Sequence, residues 1–270
     1  MKLTLRVKKI DFRNTCESEH KNSLKALFLG ELTCLVVENF VSDAVANTAI
    51  DGLNKHQDFV DHADVSGLKV LGWSHFQAVR DPTIFERYSK LGASLEGLLE
   101  SICDPEPSPF QLLKKYLNLH SNSKLEQLVL DDEPSTSPFT VRSCGENIGI
   151  EPHQDILSAE SPSDEFAAGI STQLAVNIFL ASARQGGELE VFDLGPKETG
   201  YQNLDDGPKT ISIDELPSTS IKVSPKTGDL VLFDSTKIHI VRPNKDLRPR
   251  ITLACFLAKR GGDESLYYWV

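Results

Sequence analysis

A histidine and an aspartate two residues apart occur three times in this chain: His56-Gln57-Asp58, His62-Ala63-Asp64 and His153-Gln154-Asp155. On an extended strand, residues i and i+2 point to the same side, so an imidazole and a carboxylate at that spacing can converge on one cation. On a polar surface the same pair is only two solvated side chains. The first two copies lie in "LNKHQDFVDHADVS", a polar stretch at the end of an expected helix, and read as surface. The third, in "EPHQDI", falls where a strand should be ending. A further ligand must come from elsewhere, and His239 in "DSTKIHIVRP" is the only other histidine of the C-terminal half. Two histidines and one carboxylate on one face of an octahedron is the usual arrangement for non-haem Fe(II), with positions left open for co-substrate and O₂. No cysteine joins the set, which argues against a structural zinc site.

Beyond His239 comes Arg250 in "RPRITLACFLA", with Thr252 on the same face of the predicted strand. A guanidinium pairs a carboxylate through two parallel hydrogen bonds, and a neighbouring hydroxyl adds another. The pair suits the far carboxylate of 2-oxoglutarate. Arg248 shares that strand face and is a rival anchor; Arg250 is favoured because Thr252 follows it in phase. Arg142 in "FTVRSCG" either points into the barrel, where it would meet 2-oxoglutarate or the substrate, or is a plain surface or salt-bridged arginine. Gln173 and Asn177 share one face of the apolar run "STQLAVNIFLA", and buried amides need partners, so a place in the pocket is open to them. Gly186 and Gly187 read as turn residues. Trp73 and Phe76 in "GWSHFQ" are candidates for a substrate wall, or for core.

The elements that must position these side chains follow from periodicity. "TCLVVENF" is a short β-branched run, and Ser42-Asp43 after it can cap a helix from about Ala44 to Lys55. Apolar residues at 3.6 spacing through "TIFERYSKLGASLEGLLESIC" predict a second helix, and "SPFQLLKKYLNLH" a third. Residues 128–139, rich in Asp, Pro and Ser, read as a connection. From residue 139 onward the texture changes to short β-type runs: "STQLAVNIFLA", "GELEVFDL", "TSIKVSP", "GDLVLFD", "KIHIVRP" and "PRITLACFLA". Helices first and many short strands afterwards predict a mostly β (α+β) fold, an antiparallel core with the N-terminal helices packed outside. Two long connections, 156–171 and 193–220, are candidate lids.

The chain has 270 residues and a net charge of −11, spread along its length. That charge disfavours binding to a phosphate backbone, which needs clustered Lys and Arg. No apolar run approaches the ~20 residues of a membrane span. The basic N-terminus has no apolar segment behind it, so it does not read as a secretory signal. Five scattered cysteines without a Cys-x-x-Cys pair suggest reduced thiols and a cytoplasmic setting.

In order and spacing, "HQD", "GGELEVF" (186–192), "GDLVLF" (228–233), His239 and the Arg-x-Thr at 250–252 resemble the Fe(II)/2-oxoglutarate-dependent oxygenases. Within that superfamily, "GGELEVFDL", "GDLVLFDSTKIHIV", "ACFLA" and "YYWV" are similar to the freestanding hydroxylases and halogenases of small molecules. The resemblance covers about residues 139–270. It implies one oxygenase domain, with residues 1–138 as a support region and 139–270 as a double-stranded β-helix (jelly roll). It also implies His153, Asp155 and His239 as iron ligands and Arg250 as the 2-oxoglutarate anchor. Halogenases of this kind have Gly or Ala where Asp155 stands, an opening for chloride. Asp155 therefore implies hydroxylation, desaturation or ring closure of an amino acid or specialised metabolite, with succinate and CO₂ as co-products. A protein side-chain hydroxylase and a non-catalytic metal-binding module are the alternatives, and oligomeric state is not legible.

Overall fold

The computed structural model describes residues 5–62, 65–130, 136–196 and 211–270. The alternating segments of the C-terminal half form β6 (Thr140–Cys144), β7 (Ile150–His153), β8 (Ile170–Ala181), β9 (Leu189–Phe192), β10 (Ser220–Val223), β11 (Leu230–Asp234), β12 (His239–Val241), β13 (Arg250–Arg260) and β14 (Ser265–Trp269). Two short helices, α6 (Leu157–Glu160) and α7 (Glu165–Ala168), lie between β7 and β8. The N-terminal part carries α1 (Glu17–Phe28), α2 (Asp43–Leu53), α3 (His75–Ala78), α4 (Pro82–Cys103) and α5 (Pro109–His120). It also carries β1 (Val7–Asp11), β2 (Cys34–Glu38), β3 (Val60–Asp61), β4 (Leu68–Leu71) and β5 (Lys124–Gln127). Helix starts follow their caps: Ser42 accepts from the Val45 amide, and Ser74 and Ser108 each close a capping box with the glutamine three residues on.

Two sheets face each other. The larger has ten strands in the order β1-β2-β11-β8-β13-β6-β4-β3, with β14 beside β13 and β5 beside β14. The smaller runs β10-β9-β12-β7. The expected strands of residues 139–270 are thus joined by five from the N-terminal part, and β2 pairs directly with β11. The expected connection at 128–139 holds neither helix nor strand at 128–130 and 136–139, and residues 131–135 lie outside the described set.

Strand period two decides what each face does. On β8, Leu174, Val176, Ile178 and Leu180 belong to the core shared with α1, α2, α4 and α5, while Ala175 and Phe179 belong to the layer between the sheets. On β13, Ile251, Leu253, Cys255 and Leu257 take the helix side. The alternate residues Arg250, Thr252, Ala254 and Phe256 line the pocket between the sheets. Leu95 and Leu99 of α4, with Leu113 and Leu117 of α5, seal the outer face. Truncating any of these leucines to alanine costs about 2–5 kcal/mol. This packing makes the large sheet a rigid back wall. Among the described residues no helix is long and apolar enough to cross a membrane.

Candidate active site

His153 ends β7 and His239 opens β12, and the two are directly paired across the antiparallel ladder. Their rings stand 4.1 Å apart between centroids. Asp155, two residues beyond His153, brings Oδ2 to 3.3 Å from His239 Nε2 and 3.8 Å from His153 Nε2. The three candidate ligand atoms lie within 4.8 Å of one another. His239 is buried, whereas His153 and Asp155 keep about a quarter of their side-chain surface open. The site is therefore a floor that solvent reaches from one side.

Both imidazoles are oriented by the backbone. His153 Nδ1 is 2.7 Å from the Glu151 carbonyl and His239 Nδ1 is 2.9 Å from the Lys237 carbonyl. A carbonyl accepts only, so each Nδ1 donates to the backbone and each Nε2 is the nitrogen turned toward the site. Two imidazole nitrogens and a carboxylate oxygen thus converge on one point. This donor set fits a divalent metal, and nitrogen and oxygen without sulfur suit Fe(II).

The Asp155 turn is held in place. Its amide donates to the Ser235 carbonyl (3.0 Å), and its own carbonyl accepts from Gln173 Nε2 (3.0 Å) and Ser235 Oγ (3.1 Å). Gln173 Oε1 accepts from the Leu157 amide at 2.9 Å, so one buried amide clamps both sides of the turn. Burial pushes the Asp155 carboxyl up, but His153, the hydrogen bond from His239 and Arg142 more than reverse this, and it settles at about 2. Burial, then the charge of His239, depresses His153 to about 4. Glu160 on α6 goes the other way: burial and the Asp155 charge raise it to about 8 against the pull of Arg80.

Arg250 is 4% exposed, and its guanidinium carbon lies 4.8 Å above the Phe179 ring. Burial lowers its pKa, and its Nε has no hydrogen-bond partner among the described residues. A buried guanidinium with a free donor calls for an acceptor such as a carboxylate. Thr252 pairs with Arg142 across β13 and β6, and both line the same pocket as Asn177, Phe179 and the His-Asp-His cluster. That pocket encloses about 590 Å³, mouth included. The rival Arg248 is exposed at the strand end, away from it. Gly187, at φ +71°, does more than turn the chain: a Cβ there would sit 3.2 Å from Arg250 Cδ.

The other expectations separate cleanly. His56 and Asp58 form a local turn, with the Asp58 amide 3.3 Å from His56 Nδ1. His62 meets Gln77, and Asp64 lies outside the described residues. Trp73 and Phe76 do not line the site pocket: Phe76 lies beneath Arg80 (4.0 Å), and Trp73 borders a separate hollow with Arg87. The aromatic walls are instead Phe179, Phe233 and Phe256, which alternation alone cannot tell from core. Of the candidate lids, 156–171 carries α6 and α7 and is tied to α3 by His75 Nε2 and Ser161 Oγ at 2.9 Å. Residues 197–210 of the other lie outside the described set.

Over 127 residues the chain is 33% identical to the L-gamma-glutamyl-L-propargylglycine hydroxylase of Streptantibioticus cattleyicolor, a match covering 46% of this chain and 45% of that protein. The chain thus spans about half the length of the curated relative it matches. The crystal structure of an N-substituted L-amino acid dioxygenase from Burkholderia ambifaria AMMD superposes with TM-score 0.61 at 17% identity, covering 93% of this chain and 91% of that one. Its complex with alpha-KG gives 0.58 at the same identity and coverage. At such identity the likeness concerns the fold, a jelly-roll core. The model of the carrier-protein-independent halogenase WelO5 matches residues 7–270, and the chain belongs to that family, within the Fe(II)/2-oxoglutarate oxygenase superfamily.

Proposed function

We propose that the protein is an Fe(II)/2-oxoglutarate-dependent dioxygenase that hydroxylates an unactivated C–H bond of a small molecule of the amino-acid class. The observation that carries this is the convergence of His153 Nε2, Asp155 Oδ2 and His239 Nε2 in a pocket that also holds the buried Arg250, whose Nε has no hydrogen-bond partner among the described residues. A metal-storage site has no use for a carboxylate clamp. His153, Asp155 and His239 hold the iron, and Arg250 with Thr252 receives the far carboxylate of 2-oxoglutarate. Arg142, close enough to bias both His153 and Asp155, supplies positive charge beside the metal, and Asn177 offers an amide on the same wall. When bound, the iron supplies the oxidising chemistry that couples O₂ and 2-oxoglutarate to C–H oxidation, with succinate and CO₂ released.

The chain's own work is placement. The clamp of Gln173 and Ser235 keeps Asp155 from swinging away. The amino-acid class is supported by the names of the hydroxylase and dioxygenase that this chain is similar to. Residues 1–270 act as one oxygenase domain in this reading, since N-terminal strands complete the sheet that carries Arg250. A cytoplasmic location accords with five free cysteines, four of them buried.

The test is succinate release by the Fe(II)-loaded protein with 2-oxoglutarate, across amino acids, N-substituted amino acids and γ-glutamyl dipeptides, under isotopically heavy O₂. The expected product gains one heavy oxygen atom. No substrate-dependent succinate with any member would overturn the reading, and a chlorinated product in chloride buffer would replace hydroxylation with halogenation.

A further inference from the structure

The turn that carries Asp155 runs directly into α6, and the last residue of α6 is a second acid, Glu160. The Glu160 amide donates to the Ile156 carbonyl at 3.1 Å, and the Glu160 carboxyl accepts in turn from the Ile156 amide. The side chain is therefore folded back toward the residue that follows Asp155. The Asp155 charge is felt there, second only to burial among the influences on Glu160.

Contacts with the N-terminal helices hold this segment at the open side of the metal pocket. Ser161, the next residue, has its Oγ 2.9 Å from His75 Nε2. The His75 amide and the Tyr88 hydroxyl both donate to the Val270 carbonyl, at 2.9 and 2.7 Å, and Val270 lines the metal pocket. The rim is thus a ring of α6, the start of α3 and residue 270, and Glu160 sits on the arm that joins this ring to Asp155.

Glu160 is half-buried and, among the described residues, makes no ion pair. Arg80, whose charge draws it down, is exposed and rests over the Phe76 ring at 4.0 Å. Arg142, on the pocket wall, acts on Asp155 and His153 instead. A carboxylate in such a place is costly to keep without a countercharge. A substrate group that brings the missing charge removes that cost and gains a charge-assisted hydrogen bond. In the amino-acid class that group is an ammonium, since a carboxylate would be repelled and an amide N–H carries no charge.

We propose that Glu160 is a substrate-specificity residue, whose carboxylate receives the free ammonium group of an amino-acid substrate at the rim of the metal pocket and so disfavours N-acylated analogues. The proposal rests on the oxygenase reading and adds to it the charge that the substrate must carry. In sequence Glu160 is one of three acids in a connecting segment, with Asp164 and Glu165, and only its contacts single it out.

The test compares, in the Fe(II)-loaded full chain, each free amino acid and γ-glutamyl dipeptide of the panel with its N-acetyl counterpart, reading kcat/KM for substrate-dependent succinate release. The wild type should favour the free amine by at least about tenfold, and Glu160→Gln should reduce or abolish that preference. The loss for the amine is expected at roughly 10–100-fold, the worth of a charge-assisted hydrogen bond, and chiefly in KM. Glu165→Gln, the same change of charge on an exposed residue of the same segment, should keep the preference. Calorimetric titration of Glu160→Gln with Ni(II), then with 2-oxoglutarate, should match the wild type. A wild type indifferent to acetylation, an undiminished preference in Glu160→Gln, or a parallel loss of Ni(II) or 2-oxoglutarate affinity overturns the proposal and leaves the oxygenase reading standing. If no pair yields substrate-dependent succinate, the reading falls and the proposal with it.

Discussion

Replacing Arg250 with methionine should make the protein more stable and less able to bind. In the wild type the guanidinium is 4% exposed, its Nε has no hydrogen-bond partner among the described residues, and burial lowers its pKa. Substituting a well-packed apolar chain for buried charge is often neutral or stabilising, by about 1–4 kcal/mol. Against that stands the loss of the cation–π contact with Phe179, worth about 1–2 kcal/mol when desolvated. The net expectation without ligand is a gain of about 1 kcal/mol, or about 2–4 °C in Tm for a chain of this size. With 2-oxoglutarate at a hundred times its Kd, the wild type gains about 2.7 kcal/mol by mass action. Removing one partner of a buried charge pair costs about 3–5 kcal/mol, which is more than about a hundredfold in Kd. The variant should therefore gain less than about 0.4 kcal/mol from the same ligand. The order of Tm values inverts: variant above wild type without 2-oxoglutarate, below it with. Differential scanning calorimetry on Ni(II)-loaded protein reads this directly, and Arg248→Ala should behave as wild type. A variant destabilised by more than about 2 kcal/mol in the absence of ligand would mean that Arg250 is already satisfied within the fold. An undiminished rise with 2-oxoglutarate would refute the anchor itself.

Further outcomes follow from the same geometry. His153→Ala and His239→Ala should each weaken Co(II) or Ni(II) binding by more than the roughly 10–100-fold typical of residues that only support a ligand, measured by titration calorimetry, while His56→Ala should change nothing. Equal losses at His56 would move the metal site. Asp155→Gly should still bind metal through the two histidines and admit chloride, visible in the absorption spectrum of the Co(II) form. His75 is buried neutral, and burial lowers its pKa to about 4. The unfolded chain then binds more protons between its ordinary value and 4, so the stability His75 allows is complete above about pH 6.5 and is lost as pH falls toward 4. His75→Gln should flatten that limb of a Tm-against-pH curve; an unchanged curve would assign the acid sensitivity to other groups, such as the buried His20 and the half-buried His120.

What could be read from the sequence was whatever a period or a fixed spacing encodes. Helices α2, α4 and α5 announced themselves through caps and 3.6-residue stripes, and β8, β11 and β13 through short β-type runs rich in apolar residues. His153, Asp155, His239 and Arg250 were legible because their roles demand specific residue types at set distances along adjacent strands. The strands β1, β3, β4 and β5 were not, because they sit at or near sheet edges. The two residues of β3 are both exposed, for instance, so no alternation marks them. The pocket aromatics failed for the opposite reason: Phe179 and Phe233 alternate correctly, but so does any core residue, and only the sheet opposite tells pocket from core. Gln173 was noticed as a buried amide, yet its work at the Asp155 turn depends on Leu157, sixteen positions away in sequence, and on nothing local.

Belonging to a halogenase-named family does not by itself decide the chemistry, because the decisive position is one side chain wide. Halogenation of this kind needs a coordination position that the protein leaves empty. Here Asp155 Oδ2 already stands 3.3 Å from His239 Nε2, and the turn that carries it is fastened on both sides by Gln173 and from β11's end by Ser235. A rotation of the carboxylate away from the metal would leave its charge in a largely enclosed site beside Arg142, the two imidazoles and Glu160, which is costly. Chloride would thus have to compete with a tethered carboxylate for the same cation, and an anion from solution pays an entropy of capture that the tethered one does not. The fold argues for kinship with the halogenases, and the fixed carboxylate argues that this member transfers oxygen.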